Sequence, residues 1–226
     1  MQTVLITGAN RGLGLEFARQ YAAAGWNVIA TCRRPDTADE LKELDVELML
    51  LDVGDSLACE NNLSDQLGAR KIDLLINNAG MMGDRTTTAL NAKPPEWREA
   101  FNVNVLGPAI VTRLLLPNLK LSKAPVAATL GSQAGIFSNM TSENNCIYTS
   151  TKAAAHAVTI SLGFALKEEG VTYISLRPGP TKTRMLGDAG TYEVDDSVQA
   201  MRVVLANVTP EWAGLFLDRT GVPLPL

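Results

Sequence analysis

Histidine is almost missing from this sequence: His156 is the only one in 226 residues. Ser-His-Asp triads and histidine-based metal centres depend on that residue, so both are all but excluded. Cysteine is nearly as scarce. Cys32, Cys59 and Cys146 are odd in number and lack metal-ligand spacing, which sets aside a disulfide scaffold and a metal site. That usage suits a reducing, cytoplasmic setting. No apolar run approaches the roughly 20 residues that cross a bilayer, so no membrane span is expected. Met1 leads straight into a strand-like segment, so no signal peptide is expected either. A strong charge of one sign is also absent. The net charge of −4 argues against nucleic acid or an anionic membrane as the main partner.

What is present fits one large soluble domain spanning residues 1–226, with 46% hydrophobic and 19% charged residues. Short apolar, β-branched runs at residues 3–7, 27–31, 46–51, 72–76, 126–130, 171–176 and 214–217 read as strands buried in a parallel sheet. Helical patterns lie between them: from Leu15, at residues 37–44 and 56–67, from Pro95 towards Leu116, from Tyr148 to about Glu169, and at 196–207. Residues 181–192 read as a loop or lid. Strict alternation of strand and helix implies an α/β fold, a doubly wound Rossmann-type parallel sheet with helices on both faces.

Three stretches at strand ends carry chemistry. After the first strand come Gly8, Asn10, Arg11, Gly12, Leu13 and Gly14, opening a helix. Strand, glycine turn and helix can cradle a pyrophosphate, although the Gly-x3-Gly-x-Gly spacing is also that of a plain tight turn. The second strand ends at Cys32-Arg33-Arg34, with no acid where an NAD-selective site would hold the ribose 2′-hydroxyl. Guanidiniums at Arg33 and Arg11 suit a 2′-phosphate instead, which selects NADP(H). The third stretch is Cys146-Ile147-Tyr148-Thr149-Ser150-Thr151-Lys152. Tyrosine and lysine four apart share one helix face, and an ammonium beside a phenol favours the phenolate. The pair is a candidate proton donor, or two ordinary helix residues. Asn104 interrupts an apolar helical stretch; buried, it needs partners and brings a kink and a water, whereas exposed it needs neither.

Taken together these segments resemble the short-chain dehydrogenase/reductase family over essentially the whole length. The likeness rests on Thr7 to Gly14, Leu51-Asp52-Val53, Asn77-Asn78-Ala79-Gly80, Asn104, Ser132, Tyr148 with Lys152, and Pro178-Gly179 with Thr183. The Ser132 to Tyr148 gap and the short segment after Gly179 look more like the small carbonyl-reductase branch that includes the C-factor and sniffer proteins. The resemblance implies that Tyr148 protonates a carbonyl oxygen, Ser132 donates to the same oxygen, and Lys152 lowers the tyrosine pKa. It implies that Lys152 also holds the nicotinamide ribose and joins a water relay near Asn104. It further implies cofactor contacts from Asp52, Val53, Asn78, Ala79, Gly80, Pro178, Gly179, Thr181 and Thr183, no metal, and a homodimer or homotetramer.

The expected function is therefore an NADPH-dependent carbonyl reductase. Alcohol oxidation at the same site and a nucleotide-binding signalling protein of C-factor type are the alternatives. Met81, Met82, Ile136, Phe137, Met185, Leu186 and Tyr192 should rim the pocket, favouring an apolar or aromatic group beside the carbonyl. His156 should serve packing or a subunit interface rather than act as a base, and Cys146 should line the pocket.

Overall fold

Alternation within each strand decides which side chains face which layer. In the computed structural model, which describes residues 1–143 and 145–225, the first strand β1 (Thr3–Ile6) sends Val4 and Ile6 to one face and Leu5 to the other. The same division runs through β2 (Asn27–Cys32), β3 (Glu47–Leu50), β4 (Leu74–Asn77), β5 (Val126–Leu130), β6 (Thr172–Arg177) and β7 (Phe216–Asp218). All pairings are parallel, in the order β3-β2-β1-β4-β5-β6-β7. Helices α1 (Gly12–Ala23) and α7 (Val194–Ala206) cover one face with Phe17, Tyr21, Val198 and Met201, joined by Leu41 of the short α2 (Asp39–Lys42). Helices α3 (Ser56–Leu67), α5 (Gly107–Leu119) and α6 (Cys146–Glu168) cover the other with Leu63, Val111, Leu115 and Leu166. Each such aliphatic or aromatic side chain taken from water contributes about 1.5–3 kcal/mol.

Two expectations from the sequence change here. Residues 37–44 do not form one helix: Pro35 opens a 3-10 turn (Pro35–Thr37), and Ala38 at ψ 58 separates it from the four-residue α2. The helix expected from Pro95 starts at Pro94 as α4 (Pro94–Phe101) and widens into a π-turn at Asn102–Leu106 before continuing as α5. Taken as a whole, Pro94–Leu119 has the length and apolar content of a membrane-crossing helix, beyond what the sequence suggested. Its Val111, Leu115 and Leu119 are nevertheless fully packed against the sheet.

The sheet grows outward in both directions from the β1–β4 pair. Connections after those two strands therefore leave in opposite directions and open a crevice at their C-terminal ends, where ligands of such sheets bind.

Candidate active site

The turn after β1 forms one wall of the crevice. Gly8 has φ 64, a left-handed conformation that side chains disfavour, and a Cβ there would lie 2.9 Å from the Ala79 Cα. Gly14 is needed for contact instead: its Cβ would sit 2.5 Å from the Gly8 carbonyl oxygen and 2.4 Å from Asn78 Nδ2. The first turn of α1 thus lies directly on the loop after β1, with backbone N–H groups directed at the crevice. Ala9 N–H donates to the Thr31 carbonyl (2.9 Å), fixing this turn to the end of β2. Asn10 and Leu13 are half-buried along it, and Arg11 and Arg33 are exposed at the ends of adjacent strands. Among the described residues no carboxylate pairs with Arg11, Arg33 or Arg34.

The opposite wall is the loop after β4. Asn78 Nδ2 donates to the carbonyls of Thr7 (2.9 Å) and Gly8 (3.0 Å), while Thr7 Oγ1 accepts from the Asn78 and Ala79 amides. The side-chain amide of Asn78 is therefore spent on joining the two loops, with half-buried Ala79 and exposed Gly80 following it. Asp52 accepts from Gly54 N–H (3.0 Å) in a turn after β3, followed by buried Val53. The segment after β6 closes the third side. Thr183 comes within 3.6 Å of where a Gly12 Cβ would stand, and Pro178 and Gly179 are half-buried. Thr181 turns inward, its hydroxyl held by Ser197 and the Pro178 and Gly179 carbonyls. Beyond it, Lys182 N–H bonds the Tyr192 carbonyl (2.9 Å), so residues 181–192 form a loop pinned at its base.

Asn104 is buried in the π-turn. Its Oδ1 accepts from Met81 N–H (2.9 Å), and its Nδ2 donates to the Met81 carbonyl (2.8 Å) and to Thr151 Oγ1 (3.0 Å). Both amide protons are used, so the side chain clamps the β4 loop to α6. Thr151, which no motif singled out, is the far end of that clamp.

At the start of α6, Tyr148 is 9% exposed, and the Ser132 hydroxyl, which accepts from Ala134 N–H (3.2 Å), acts on its phenol. Burial raises the Tyr148 pKa, while the Ser132 hydrogen bond and the Arg85 charge pull it back. The sequence assigned that second part to Lys152. In the structure the Lys152 ammonium lies 5.6 Å from the Tyr148 ring centre and donates to the Leu130 carbonyl at the end of β5 (2.9 Å). Burial pushes Lys152 down to about 8. One acceptor for three ammonium protons, in a buried position beside the crevice, leaves the lysine able to take hydroxyl partners.

Two further residues bear on this centre. His156 Nε2 donates to the Ser132 carbonyl (2.9 Å) and its ring packs 4.2 Å from that of Phe216, so it sets the Ser132 backbone rather than serving as a base. Burial lowers its pKa and keeps it neutral. Arg85, exposed in the loop after β4, carries a charge that acts on the Tyr148 phenol. Neither role follows a local pattern. Of the residues expected at the rim, Met81, Met82, Leu186 and Tyr192 are half-buried, Ile136 is buried, and Phe137 and Met185 are exposed. Cys146 is half-buried, two residues before Tyr148.

Comparisons with known proteins agree with this geometry. The family model for short chain dehydrogenase matches residues 2–193. An NADPH-bound carbonyl reductase from chicken fatty liver superposes with a TM-score of 0.91 at 30% identity, over 100% of this chain and 99% of that one. The carbonyl reductase Sniffer of D. melanogaster superposes at 0.89 over 100% of both chains; at 24% identity it speaks for the fold alone. The C-signal protein of Myxococcus xanthus is 32% identical over 68% of this chain and 92% of its own length.

Proposed function

Because the chain belongs to the short-chain dehydrogenase family of oxidoreductases, we propose that it is an NADPH-dependent carbonyl reductase with Tyr148 as the proton donor. The observation that carries this reading is the buried Tyr148 phenol, one helical turn from the buried Lys152 on α6, with the Ser132 hydroxyl acting on it. The reduced nicotinamide, when bound, supplies hydride to the carbonyl carbon.

The residues present fit such a cofactor. The glycine turn leaves no room for a Cβ at Gly8 or Gly14, and the free N–H groups of the α1 first turn suit a pyrophosphate. Arg11 and Arg33, without carboxylate partners among the described residues, suit a 2′-phosphate, a reading that the NADPH-bound chicken reductase supports. Asp52 and Val53 suit the adenine end, with Ala79 and Gly80 along the adenosine, and Lys152 the nicotinamide ribose. Pro178, Gly179 and Thr183 form the floor on the nicotinamide side. Thr181 has its hydroxyl turned away and supports this floor from behind.

Tyr148 gives its proton to the carbonyl oxygen as negative charge develops there. Ser132 donates to the same oxygen, and His156 holds Ser132 in place. Asn104 keeps the β4 loop against α6 so that both walls stay at a fixed spacing. Reversal by the same groups oxidises an alcohol, and the cofactor ratio sets the direction. A purely signalling role is disfavoured because a sensor has no need of a buried phenol beside a serine and a lysine.

Replacing Tyr148 with Phe tests the reading. The ring still packs, so NADPH binding, followed by fluorescence, should stay within a few-fold. Turnover should drop by about 10²–10⁴, the usual range for general acid catalysis. A variant keeping more than about a tenth of wild-type turnover under chemistry-limited conditions has lost no proton donor, and the assignment fails.

A further inference from the structure

One guanidinium joins the loop after β4 to the loop after β6. Arg85 lies in the loop between β4 and α4, and that stretch is held at both ends. Asn104 bonds both backbone groups of Met81, and the buried Thr87 accepts from Cys146 N–H (3.1 Å) at the start of α6. Four residues after one clamp and two before the other, Arg85 stands on a fixed piece of backbone. Its guanidinium spans the mouth, with Nη2 on the Met185 carbonyl of the opposite loop (3.3 Å) and Nε on Met82 Sδ (3.1 Å).

Those two partners are neutral. Neighbouring Asp84 accepts through Oδ1 from the Thr86 amide and hydroxyl, both at 2.8 Å. Among the described residues no carboxylate forms an ion pair with Arg85. The donors left over form a planar fork, which matches the two oxygens of a carboxylate. Their field also reaches the reacting group, because the Arg85 charge acts on the Tyr148 phenol.

We propose that Arg85 anchors an acidic group of the substrate, so that the compounds taken at this site are carbonyl acids rather than neutral ketones or aldehydes. This rests on the carbonyl-reductase reading and narrows it. It also revises the expectation of an uncharged substituent: the methionines and Phe137 hold the apolar body, and the charge goes to the Arg85 guanidinium. A carboxylate and a sulfonate share this chemistry, and the carboxylate is the probe of choice.

The test uses 3- and 4-formylbenzoate and their methyl esters, with wild type, Arg85→Gln and Arg85→Lys. Calorimetry on protein saturated with NADP+ gives binding without turnover, and NADPH oxidation gives kcat/KM. Wild type should favour the better acid over its ester. In Arg85→Gln that preference should fall about tenfold in both readouts, the lower end for a charge-assisted hydrogen bond in an exposed site. Arg85→Lys should fall in between, because it keeps the charge and loses the fork. An unchanged acid-to-ester ratio in Arg85→Gln overturns the proposal, and so does a loss of both ligands in equal measure, which would make Arg85 only a latch between loops. The two readings separate cleanly. Arg85-dependent acid binding with no carbonyl reduced by wild type refutes the reductase and keeps the anchor; reduction with no acid preference does the reverse.

Discussion

Both ends of the parallel sheet carry polar side chains, and the two ends use them differently. At the N-terminal ends of the strands they are matched to one another. Asp73 accepts from Thr3 N–H (2.8 Å), the Ser122 hydroxyl (2.7 Å) and Lys71 (3.0 Å). Nearby Arg70 pairs with Glu47, and Asn118 donates to the Gly68 and Arg70 carbonyls. A hollow lined by Thr3, Trp26, Asp45, Glu47, Arg70 and Lys71 opens there, with Arg70 paired to Glu47 and Lys71 to Asp73. At the C-terminal ends Asn78, Asn104 and Thr181 are matched in the same way, but other groups are not. Lys152 is buried with one acceptor, His156 Nδ1 has no partner, and Arg11, Arg33 and Arg85 have no carboxylate among the described residues. Satisfied polar groups stabilise a fold; buried or converging groups left short of partners are available to a ligand.

The largest effect that can break this contrast is expected at Lys152. Lys152→Ala should lower kcat/KM for NADPH-linked reduction by about 10²-fold or more, through both the ribose and the proton donor. Measured as alcohol oxidation with NADP+, its residual rate should climb towards alkaline pH. The phenolate is the base in that direction, and burial has raised the Tyr148 pKa above its usual value. A flat profile with unchanged cofactor affinity would show that the ammonium serves only the Leu130 carbonyl.

The arginines come next. Arg33→Ala should shrink the preference for NADPH over NADH by about 10–150-fold, the equivalent of one charge-assisted hydrogen bond. Replacing Cys32 with Asp should reduce it further by placing a carboxylate where the 2′-phosphate would lie. Unchanged preference in both variants would mean that these guanidiniums are only solvated.

At the other end of the sheet the effect should be smaller and of another kind. Burial pushes Asp73 up, but the bonds from Ser122, Thr3 and Lys71 outweigh it and hold the carboxyl below its ordinary value of 3.8. The folded state thus binds fewer protons than the unfolded one in that range. The stabilisation is complete above about pH 4 and is lost as pH falls through the depressed folded value. Asp73→Asn should cost about 1–3 kcal/mol in denaturant unfolding at pH 7 and progressively less in acid, with kcat/KM unaltered. A loss of activity without loss of stability would reverse the roles of the two ends.

The sequence disclosed the sheet because burial on both faces leaves short continuous apolar runs, and β1 to β7 fall within a few residues of where those runs lay. The glycine turn was legible for a similar reason, since Gly8 and Gly14 answer to contacts of neighbouring backbone. Tyr148 and Lys152 were legible as a shared helix face, but i,i+4 spacing says nothing of what else each side chain meets. The Leu130 carbonyl, 22 residues away, takes the ammonium. The other unread features are long-range bonds. Thr7 with Asn78, Asn104 with Thr151, His156 with Ser132 and Arg85 with Met185 join positions 24 to 100 residues apart. Asn78 and Thr181 look like cofactor contacts in the motif, yet their side chains are engaged by the protein itself.

The central claim is that the unmatched groups at the C-terminal edge bind NADPH and reduce a carbonyl. The most direct measurement follows the absorbance of NADPH and of NADH with purified protein over a panel of aldehydes, ketones and carbonyl acids. The account predicts oxidation of NADPH only when a carbonyl acceptor is present, with kcat/KM at least about 100-fold above that for NADH, as two guanidiniums at a 2′-phosphate would give. Equal use of the two cofactors, or no acceptor-dependent oxidation across the panel, would contradict it.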